Sequence, residues 1–333
     1  MGRLPAAVLA VDAGNSKTDA ALIGADGTVL GTGRSGGFQP PRTGVEAAVD
    51  VLARAVSQAA EAAGLAPPHP GGPYAARVSA CLANADLPVE ERRLADAIGA
   101  RGWGGATEVR NDTFAVLRAG LADTGTAYGV AVVCGAGINC VGVAPDGRIT
   151  RFPALGRISG DWGGGSGLAG EALWWAARAE DGRGEPTELA SAVPGHFGFT
   201  SMAELIEALH LGAVGYERTH ELVPVLFAVA AAGDQVAAAV VERQAREVVA
   251  MASVALGRLG LLGEEVPVLL GGGVLAAGHA RLNGAIGAGL AEVAPRARVS
   301  VVAAPPVLGA GLLGLDAVGA PAEAYGKLRA HFG

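Results

Sequence analysis

Apolar and polar positions along the chain follow two patterns. Short apolar runs bounded by turn residues predict strands at residues 8–11, 19–23, 29–31, 76–80, 107–110, 128–133, 266–270 and 299–302. Longer amphipathic segments predict helices at 44–63, 88–100, 113–122, 166–179, 201–211, 222–259, 309–318 and 322–331. A loop is predicted at 67–73, and Gly233 breaks the helical stretch 222–259 into two pieces. Strands and helices mixed in two successive halves predict an α/β fold.

One glycine-rich strand-turn-strand unit occurs twice, at residues 8–30 and 129–150. Each copy has an apolar run, a tight turn rich in glycine, a second apolar run and an Asp-Gly turn. Such a turn exposes successive backbone N–H groups, which together form an anion-binding concavity. Two copies suggest a nucleotide clamped between two related halves, as in a phosphotransferase with a closing cleft.

Length and charge narrow the class of protein. A chain of 333 residues is too long for one ordinary core, so two domains are expected, at residues 1–115 and 116–320. The final helix, 321–333, is expected to pack back on the first domain. The chain is 50% apolar and 17% charged, which fits a globular protein. The net charge of -7 argues against a nucleic-acid surface, although ATP can still bind through backbone N–H groups and Mg²⁺.

Cysteine usage and hydropathy bear on location. Three cysteines without C-x-x-C spacing do not form a disulfide framework, so a cytoplasmic protein is expected. The apolar part of the N-terminus is too short for a signal peptide. The most apolar window, 222–241, is interrupted at 233–235, and no membrane partner is expected.

Three glycine-rich segments are candidates for binding a nucleotide. In the first, DAGNSKTD, Asp12 ends a strand and is placed to hold Mg²⁺ through water, because hard cations prefer oxygen ligands. The alternative is that these segments have no binding role. The first would then be a hairpin with ordinary turn residues, and Gly271–Gly273 would be a strand-to-helix turn. The candidate nucleotide-binding residues are Gly14, Asn15, Ser16, Lys17, Thr18, Gly135, Ala136, Gly137, Gly271, Gly272 and Gly273.

Together these segments resemble the sugar kinases of the actin/hexokinase/Hsp70 ATPase superfamily, over nearly the whole chain. DAGNSKTD and VVCGAGINC resemble its two phosphate motifs, and LLGGGVLAAG resembles its adenosine motif. The stretch GRISGDWGGGSGLAGEAL points to the N-acetylglucosamine kinase branch, grouped with the BadF/BadG/BcrA/BcrD ATPase family. The resemblance implies two ribonuclease-H-like domains around a cleft, with ATP and Mg²⁺ as cofactors.

The resemblance also implies roles for polar residues. Asp112 follows a strand and precedes a helix, and it matches the catalytic base of the family; its alternative role is to cap that helix. Asp161 matches a residue that holds sugar hydroxyls. The predicted sugar-binding residues are Gln39, Asn84, Asn111, Asp161, Ala154 and Leu155.

Several positions depart from the family pattern. Asn15 and Asn84 stand where glycine is usual, Ala136 where Thr is common, and Ala154-Leu155 where Gly and Trp are common. Phe38-Gln39 replaces a Ser/Thr-Asn pair, and Phe38 could either stack on a sugar or belong to the core. These departures put the identity of the sugar in question, and not the phosphoryl transfer.

The expected activity is phosphorylation of N-acetylglucosamine to N-acetylglucosamine 6-phosphate by a cytoplasmic homodimer. Glucosamine and N-acetylmuramic acid are alternative substrates. One rival is an ATPase activator of a radical enzyme, which needs exposed cysteines for a shared [4Fe–4S] cluster. The other is a non-catalytic sugar sensor; such regulators usually carry an N-terminal helix-turn-helix, whereas this sequence begins with its first strand.

Overall fold

The computed structural model describes residues 6–65, 73–123 and 128–333. These residues form two compact units. The first takes its residues from Met1–Ala131, Val141–Pro153 and Val302–Gly333, and the second from Val132–Cys140 and Ala154–Val301. Each unit is therefore assembled from segments that are distant in sequence.

The described strands form two five-stranded sheets, of order β3-β2-β1-β4-β5 and β10-β9-β6-β7-β8. The strands are β1 Ala6–Ala13, β2 Thr18–Ile23, β3 Val29–Ser35, β4 Ala75–Leu82, β5 Gly104–Asn111, β6 Gly129–Cys134, β7 Ile138–Val143, β8 Ile149–Arg151, β9 Pro267–Gly271 and β10 Arg298–Val301. In the first sheet β1, β2 and β3 are antiparallel neighbours, while β1, β4 and β5 run parallel.

Helices of very different lengths accompany the two sheets. Within the described ranges they are α1 Pro40–Thr43, α2 Val45–Ala62, α3 Pro88–Gly99, α4 Thr113–Gly120, α5 Gly164–Glu180, α6 Leu189–His196, α7 Met202–His210, α8 Leu222–Ala231, α9 Gln235–Leu259, α10 Gly273–Ala276, α11 Ala280–Val293, α12 Pro306–Val318 and α13 Ala322–Phe332. Short 3₁₀ helices occur at Gly156–Ser159 and Tyr216–Glu221.

The predicted α/β class is confirmed. The predicted break in the 222–259 segment is also found, because α8 ends before Gly233 and Asp234 caps α9 by accepting a hydrogen bond from the backbone N–H of Ala237 (2.8 Å). Helices α6 and α11 were not predicted. The loop predicted at 67–73 lies outside the described residues, apart from Pro73.

Strand β1 is buried on both faces of its sheet, because its side chains alternate between two apolar layers. Leu9 and Val11 belong to a cluster that includes the inner face of α2. Val8 and Ala10 belong to a second cluster, which includes α12 and α13. The last two helices therefore cover one face of the sheet that begins the chain.

Ion pairs fasten these last two helices within the first unit. Arg118 on α4 is 5% exposed, and its Nε lies 2.8 Å from a carboxylate oxygen of Asp316 on α12. On α13, Lys327 Nζ lies 2.6 Å from Asp26 Oδ2 in the turn between β2 and β3. In the first pair Arg118 is buried while Asp316 is exposed, so removing Asp316 would leave a poorly solvated charge on Arg118.

No single helix in the described ranges is both long enough and apolar enough to cross a membrane. The segments Tyr216–Ala231 and Gln235–Leu259 meet that standard only when taken together, and they are bent by 113° at the break between them.

Candidate active site

The parallel strands of the first unit end side by side. In their register Ala13 of β1 pairs with Leu82 of β4, and Leu82 pairs with Asn111 of β5. The backbone N–H of Ala83 donates to Ala13 O (2.7 Å), and that of Asp112 donates to Leu82 O (3.2 Å). The residues that follow the three strands are therefore neighbours at one sheet edge. This carboxyl edge is where open α/β sheets bind their ligands.

An amide network joins the first glycine-rich turn to two predicted sugar-binding residues. Asn84 Nδ2 donates to Asn15 Oδ1 (3.1 Å) and to Phe38 O (3.2 Å). Gln39 Nε2 donates to Asn15 O (2.8 Å). Asn84 adopts a left-handed backbone (φ 59°), a conformation that Asn tolerates better than most residues. The structure thus brings Asn15, Gln39 and Asn84 together.

Phe38 is completely buried in the core of the first unit. Of the two roles left open for this ring, the structure supports packing and not stacking on a sugar. Its backbone N–H donates to Gly14 O (2.9 Å), which ties the loop before α1 to the turn.

The polar residues of the first turn divide into exposed and buried groups. Gly14 N–H donates to Lys17 O (2.8 Å) and closes the turn, leaving Ser16 and Lys17 exposed. Lys17 Nζ lies 3.0 Å from Asp19, whose other oxygen is 2.6 Å from Arg34 Nε. Thr18 is buried, and its hydroxyl donates to Gly36 O (2.9 Å). Ser16 and Lys17 therefore present side chains to solvent, whereas the Thr18 hydroxyl holds the neighbouring loop.

Asp12 is a buried carboxylate at the end of β1. Burial raises its pKa to about 8, with further contributions from the nearby carboxylates of Asp112 and Asp19, while Lys17 opposes the rise. Among the residues that the structure describes, no hydrogen bond to this carboxylate offsets the rise. A bound cation would stabilise the ionised form of this buried carboxylate, so the position is suited to hold a cation.

The last residue of β5, Asn111, and the residue after it, Asp112, have different roles. Asn111 is buried, and its Oδ1 accepts hydrogen bonds from the backbone N–H (3.0 Å) and the hydroxyl (2.6 Å) of Thr113. Asp112 occupies the N-cap position of α4 but makes no side-chain capping hydrogen bond. Its carboxylate therefore does not act as the capping group of the helix, although the backbone N–H groups of Asp112 and Thr113 lie near it. Burial raises the pKa of Asp112 to about 6, and backbone N–H groups at the start of α4 oppose the rise.

Asp86 is a member of this group that the sequence analysis missed. Its Oδ1 accepts a hydrogen bond from Asn111 Nδ2 (2.8 Å). Burial raises the pKa of Asp86 to about 7, helped by the charges of Asp112 and Glu90. Arg151 fastens the same loop by donating to the carbonyl oxygen of Asp86 (2.9 Å) while pairing with Glu91 (2.9 Å). Three carboxylates with raised pKa values thus occupy this edge.

The second glycine-rich turn, in the second unit, is held by backbone contacts. Gly135 N–H donates to Gly137 O (3.0 Å) and closes it. At the start of α5, Gly165 N–H donates to Gly135 O (2.8 Å) and Ser166 N–H donates to Ala136 O (2.9 Å). In a planar trans peptide the N–H points opposite to the C=O, so the N–H groups of Ala136 and Gly137 point away from α5. Both residues are exposed, and these donors suit an anion.

The third glycine-rich segment packs against the strand that leads into this turn. Gly272 has φ 82°, and a methyl group on it would overlap the backbone of Cys134, the last residue of β6. Glycine is required there because both the conformation and the space exclude a side chain. The segment Gly271–Gly273 and the turn Gly135–Gly137 are therefore neighbours.

Asp161 lies with Ala154 and Leu155 in one loop, shaped by the 3₁₀ helix Gly156–Ser159. Its backbone N–H donates to Gly156 O (3.0 Å), and its carboxylate accepts a hydrogen bond from the Ser159 hydroxyl. Ser159 Oγ also accepts from Leu155 N–H (2.7 Å). Ala154 has φ 51°, and Leu155 is 38% exposed.

A model of the BadF/BadG/BcrA/BcrD ATPase family matches residues 9–314. The chain belongs to this family. The resemblance seen in the sequence is confirmed on that point.

Members of known activity resemble the chain at low identity. It is 27% identical over 193 residues to an N-acetylmuramic acid/N-acetylglucosamine kinase of Clostridium acetobutylicum, a match covering 58% of this chain and 62% of the relative. It is 25% identical over 210 residues to an N-acetyl-D-glucosamine kinase of Dictyostelium discoideum, covering 62% of this chain and 65% of the relative. The chain thus matches less than two thirds of the length of either curated relative.

A solved structure shares the fold over a longer range. It is a crystal structure of a candidate N-acetylglucosamine kinase from Chromobacterium violaceum, with a TM-score of 0.69 and 23% identity. The match covers 92% of this chain and 98% of that one. The chain therefore has the fold of that protein over nearly its whole length.

Proposed function

We propose that this protein is an ATP-dependent sugar kinase that transfers the γ-phosphate to a hydroxyl of an amino sugar. The observation that carries the proposal is the state of Asp112. It follows a parallel strand, its neighbour Asn111 relieves it of capping, and its pKa of about 6 leaves it mainly ionised at neutral pH. A carboxylate of this kind is suited to orient a hydroxyl and to accept its proton late in phosphoryl transfer.

The remaining roles follow from the placement of the other polar groups. We assign phosphate binding to the first turn, with Gly14, Asn15, Ser16, Lys17 and Thr18, and to the second, with Gly135, Ala136 and Gly137. We assign the adenosine part of ATP to Gly271, Gly272 and Gly273. Exposed backbone N–H groups in the second turn and the Lys17 charge support the phosphate assignment.

We assign Mg²⁺ to Asp12. Within the described residues no group of three or more His, Cys, Asp and Glu side chains is arranged to hold a metal ion. In nucleotide sites one or two carboxylates, together with waters and substrate phosphates, are enough to bind Mg²⁺, so a single carboxylate at Asp12 can serve. When bound, the ion would neutralise phosphate charge during transfer. Asp12 would supply a buried carboxylate that loses its proton as the cation binds, because burial raises its pKa to about 8.

We infer that the sugar is neutral or cationic, with N-acetylglucosamine phosphorylated at its 6-hydroxyl as the first choice and glucosamine as the second. Asp12, Asp86 and Asp112 already repel one another at the sheet edge. The lactyl carboxylate of N-acetylmuramic acid would add to this repulsion. Amides are better suited to sugar hydroxyls here, and Gln39, Asn84 and Asn111 supply them, with Asp161, Ala154 and Leu155 proposed as further sugar-binding residues.

One rival function is disfavoured by the cysteines. The iron–sulfur activators need exposed thiols, whereas Cys81, Cys134 and Cys140 are all buried and free. Burial raises the pKa of the Cys134 thiol to about 12, which keeps it protonated and unreactive. The expected homodimer, cytoplasmic location and lack of nucleic-acid or membrane partners remain predictions.

A coupled assay for ADP release across a panel of hexoses and amino sugars tests the proposal. N-acetylglucosamine should give the highest kcat/KM, glucosamine a lower one, and N-acetylmuramic acid the lowest of the three. Phosphorus NMR of the product should place the phosphate on the 6-oxygen. ADP release that does not depend on any sugar would reject the kinase and favour an ATPase; a preference for N-acetylmuramic acid would reject the electrostatic argument alone.

A further inference from the structure

A buried glutamine on the longest helix joins two segments of the proposed site. Gln244, on α9, has no exposed surface. Its Oε1 accepts a hydrogen bond from the backbone N–H of Gly164 (2.8 Å), and its Nε2 donates to Cys134 Sγ (3.6 Å). Burying an amide is costly unless both ends are satisfied, so this placement is specific. The two partners lie on different segments: the start of α5 and the end of β6.

The same two segments also meet through their backbones. The hydrogen bonds from Gly165 and Ser166 to the second turn orient its peptide groups, as described above. A methyl group on Gly164 would overlap the backbone of Gly137, and one on Gly163 would overlap the Gln244 amide. Packing this close leaves no room for the start of α5 to move without moving the turn.

The loop that carries Asp161 is attached to the same helix. Trp162 follows Asp161, and the Arg243 guanidinium lies 4.0 Å from the centre of its ring. Trp162 Nε1 also donates to Glu171 on α5 (3.3 Å). Arg243 and Gln244, adjacent on α9, thus hold the loop at Trp162 and Gly164. A displacement of Asp161 can therefore reach Gly135–Gly137 through a short series of contacts, by way of Trp162, Gln244 and Gly164.

We propose that Gln244 is a positioning residue that couples sugar binding at the Asp161 loop to phosphate binding at the second turn. The inference rests on the proposed function, since it assigns one ligand to each end of the route. Sugar bound at Asp161 fixes the loop, Gln244 and Gly164 transmit that position, and the N–H groups of Ala136 and Gly137 become ordered for phosphate. Each ligand then tightens the other by the same factor.

The test is a binding cycle measured by isothermal titration calorimetry. The Kd of ADP is measured without sugar and with the saturating sugar that the screen identifies. In the wild type we expect sugar to tighten ADP by at least about 5-fold. Gln244→Met keeps the length of the side chain and removes both hydrogen bonds. It should bring the ratio to within about 2-fold of unity while leaving the Kd of sugar alone within about 3-fold of wild type.

Two further variants make the result interpretable. Gln235→Met makes the same change at an exposed site on α9, where the side chain donates to Gly233 O (3.1 Å), and should keep the wild-type ratio. Arg243→Met changes an exposed residue and releases Trp162, so it should fold normally and lower the ratio partly. It gives an answer even if Gln244→Met does not fold.

The outcomes separate the inference from the function on which it rests. A purely stabilising role for Gln244 would lower Tm and the active fraction but would not change the ratio. A wild type that phosphorylates sugar without coupling, or Gln244→Met and Arg243→Met variants with undiminished coupling, would overturn the inference and leave the kinase intact. A wild type with no sugar turnover at all would overturn both.

Discussion

The two glycine-rich turns have similar sequences but are held in different ways. The first, around Asn15, is held by a backbone hydrogen bond from Phe38 N–H and, in addition, by side chains, because the amides of Asn84 and Gln39 bond to it. The second, Gly135–Gly137, is held by backbone hydrogen bonds from the start of α5 and by close packing. Removing the side-chain bonds of the first turn should lower stability in steps, whereas the second turn should fail when one methyl group is added at its contact with the start of α5.

Their electrostatic surroundings differ as well. The first turn lies beside carboxylates whose pKa values are raised by burial and by one another. Near the second turn one polar neighbour is Gln244, a neutral amide that accepts a hydrogen bond from Gly164 N–H. Chemistry that moves a proton is therefore expected beside the first turn, and rigid anion binding at the second.

The largest effect is expected from Asp112→Asn, which tests whether the chemistry belongs beside the first turn. The variant keeps the shape of the side chain and removes the base, so kcat should fall by roughly 10²–10⁴-fold. ADP affinity should stay within about 3-fold. The matched control is Asp146→Asn in an exposed turn, which should leave kcat unchanged. An Asp112→Asn enzyme with wild-type kcat would remove Asp112 from the mechanism.

Gly164→Ala tests the second turn. Gly164 has φ 69°, and its new methyl group would overlap the backbone of Gly137. The combined conformational and packing strain should lower the free energy of unfolding by roughly 2–4 kcal/mol. Chemical denaturation measures the change.

Gly170→Ala on the same helix is the control, because its new methyl group would contact nothing. It should raise the free energy of unfolding by roughly 0.5–1 kcal/mol. Equal effects at both glycines would contradict the backbone-packing account.

A smaller effect is expected from Asp86→Asn, which should change how Tm depends on pH. The folded-state pKa of about 7 lies above the unfolded value of 3.8, so the folded state binds the extra proton. Stability from this group is complete below about pH 4 and is lost as pH rises through 7. Wild-type Tm, measured without ligands, should therefore fall between pH 5 and pH 8.

Asp86→Asn should make that decline shallower by about 2–4 °C. Asp181→Asn, at an exposed ion pair with a lowered pKa, should leave the slope between pH 5 and pH 8 unchanged. If Tm rose with pH in the wild type, or if the decline in Asp86→Asn were as steep as in the wild type, the raised pKa of Asp86 would be refuted.

The smallest effect is expected at Asn84, which tests the side-chain turn. Asn84→Gly loses the bonds to Asn15 and Phe38 but relieves the left-handed backbone, so stability should change by less than about 1 kcal/mol. Asn84→Ala loses the bonds and keeps the strain, so it should be the less stable of the two. Thermal unfolding of the two variants gives their order of stability. If Asn84→Ala were the more stable, the backbone strain at this position would be negligible.

The sequence was sufficient to predict elements whose own residues determine them. The turns at Gly14 and Gly135 were predicted because glycine between two strand-like apolar runs usually indicates a tight turn. Helix α11 was missed although Leu282, Ile286 and Leu290 recur every four residues, because Gly284, Gly287 and Gly289 weaken its helical character.

The residues that were missed depend on contacts between distant segments. Asp86 follows a strand without any local pattern, and only the register of Leu82 with Asn111 brings it to the site. Gln244 could have been found, because it interrupts the apolar stripe formed by Val240, Val241 and Val248 on α9. A polar residue at a core position of a helix implies a partner, but the identity of that partner is settled only by tertiary structure.

The arrangement of α12 and α13 has a consequence for biosynthesis. They cover the face of the first sheet formed by Val8, Ala10 and Ile23, yet they are translated long after it. At roughly 5–20 residues per second, the ribosome needs about 10–40 seconds to make the chain between α4 and α12. During that time one apolar face of the nascent sheet is exposed to solvent. This protein should therefore depend on chaperones more during synthesis than after folding.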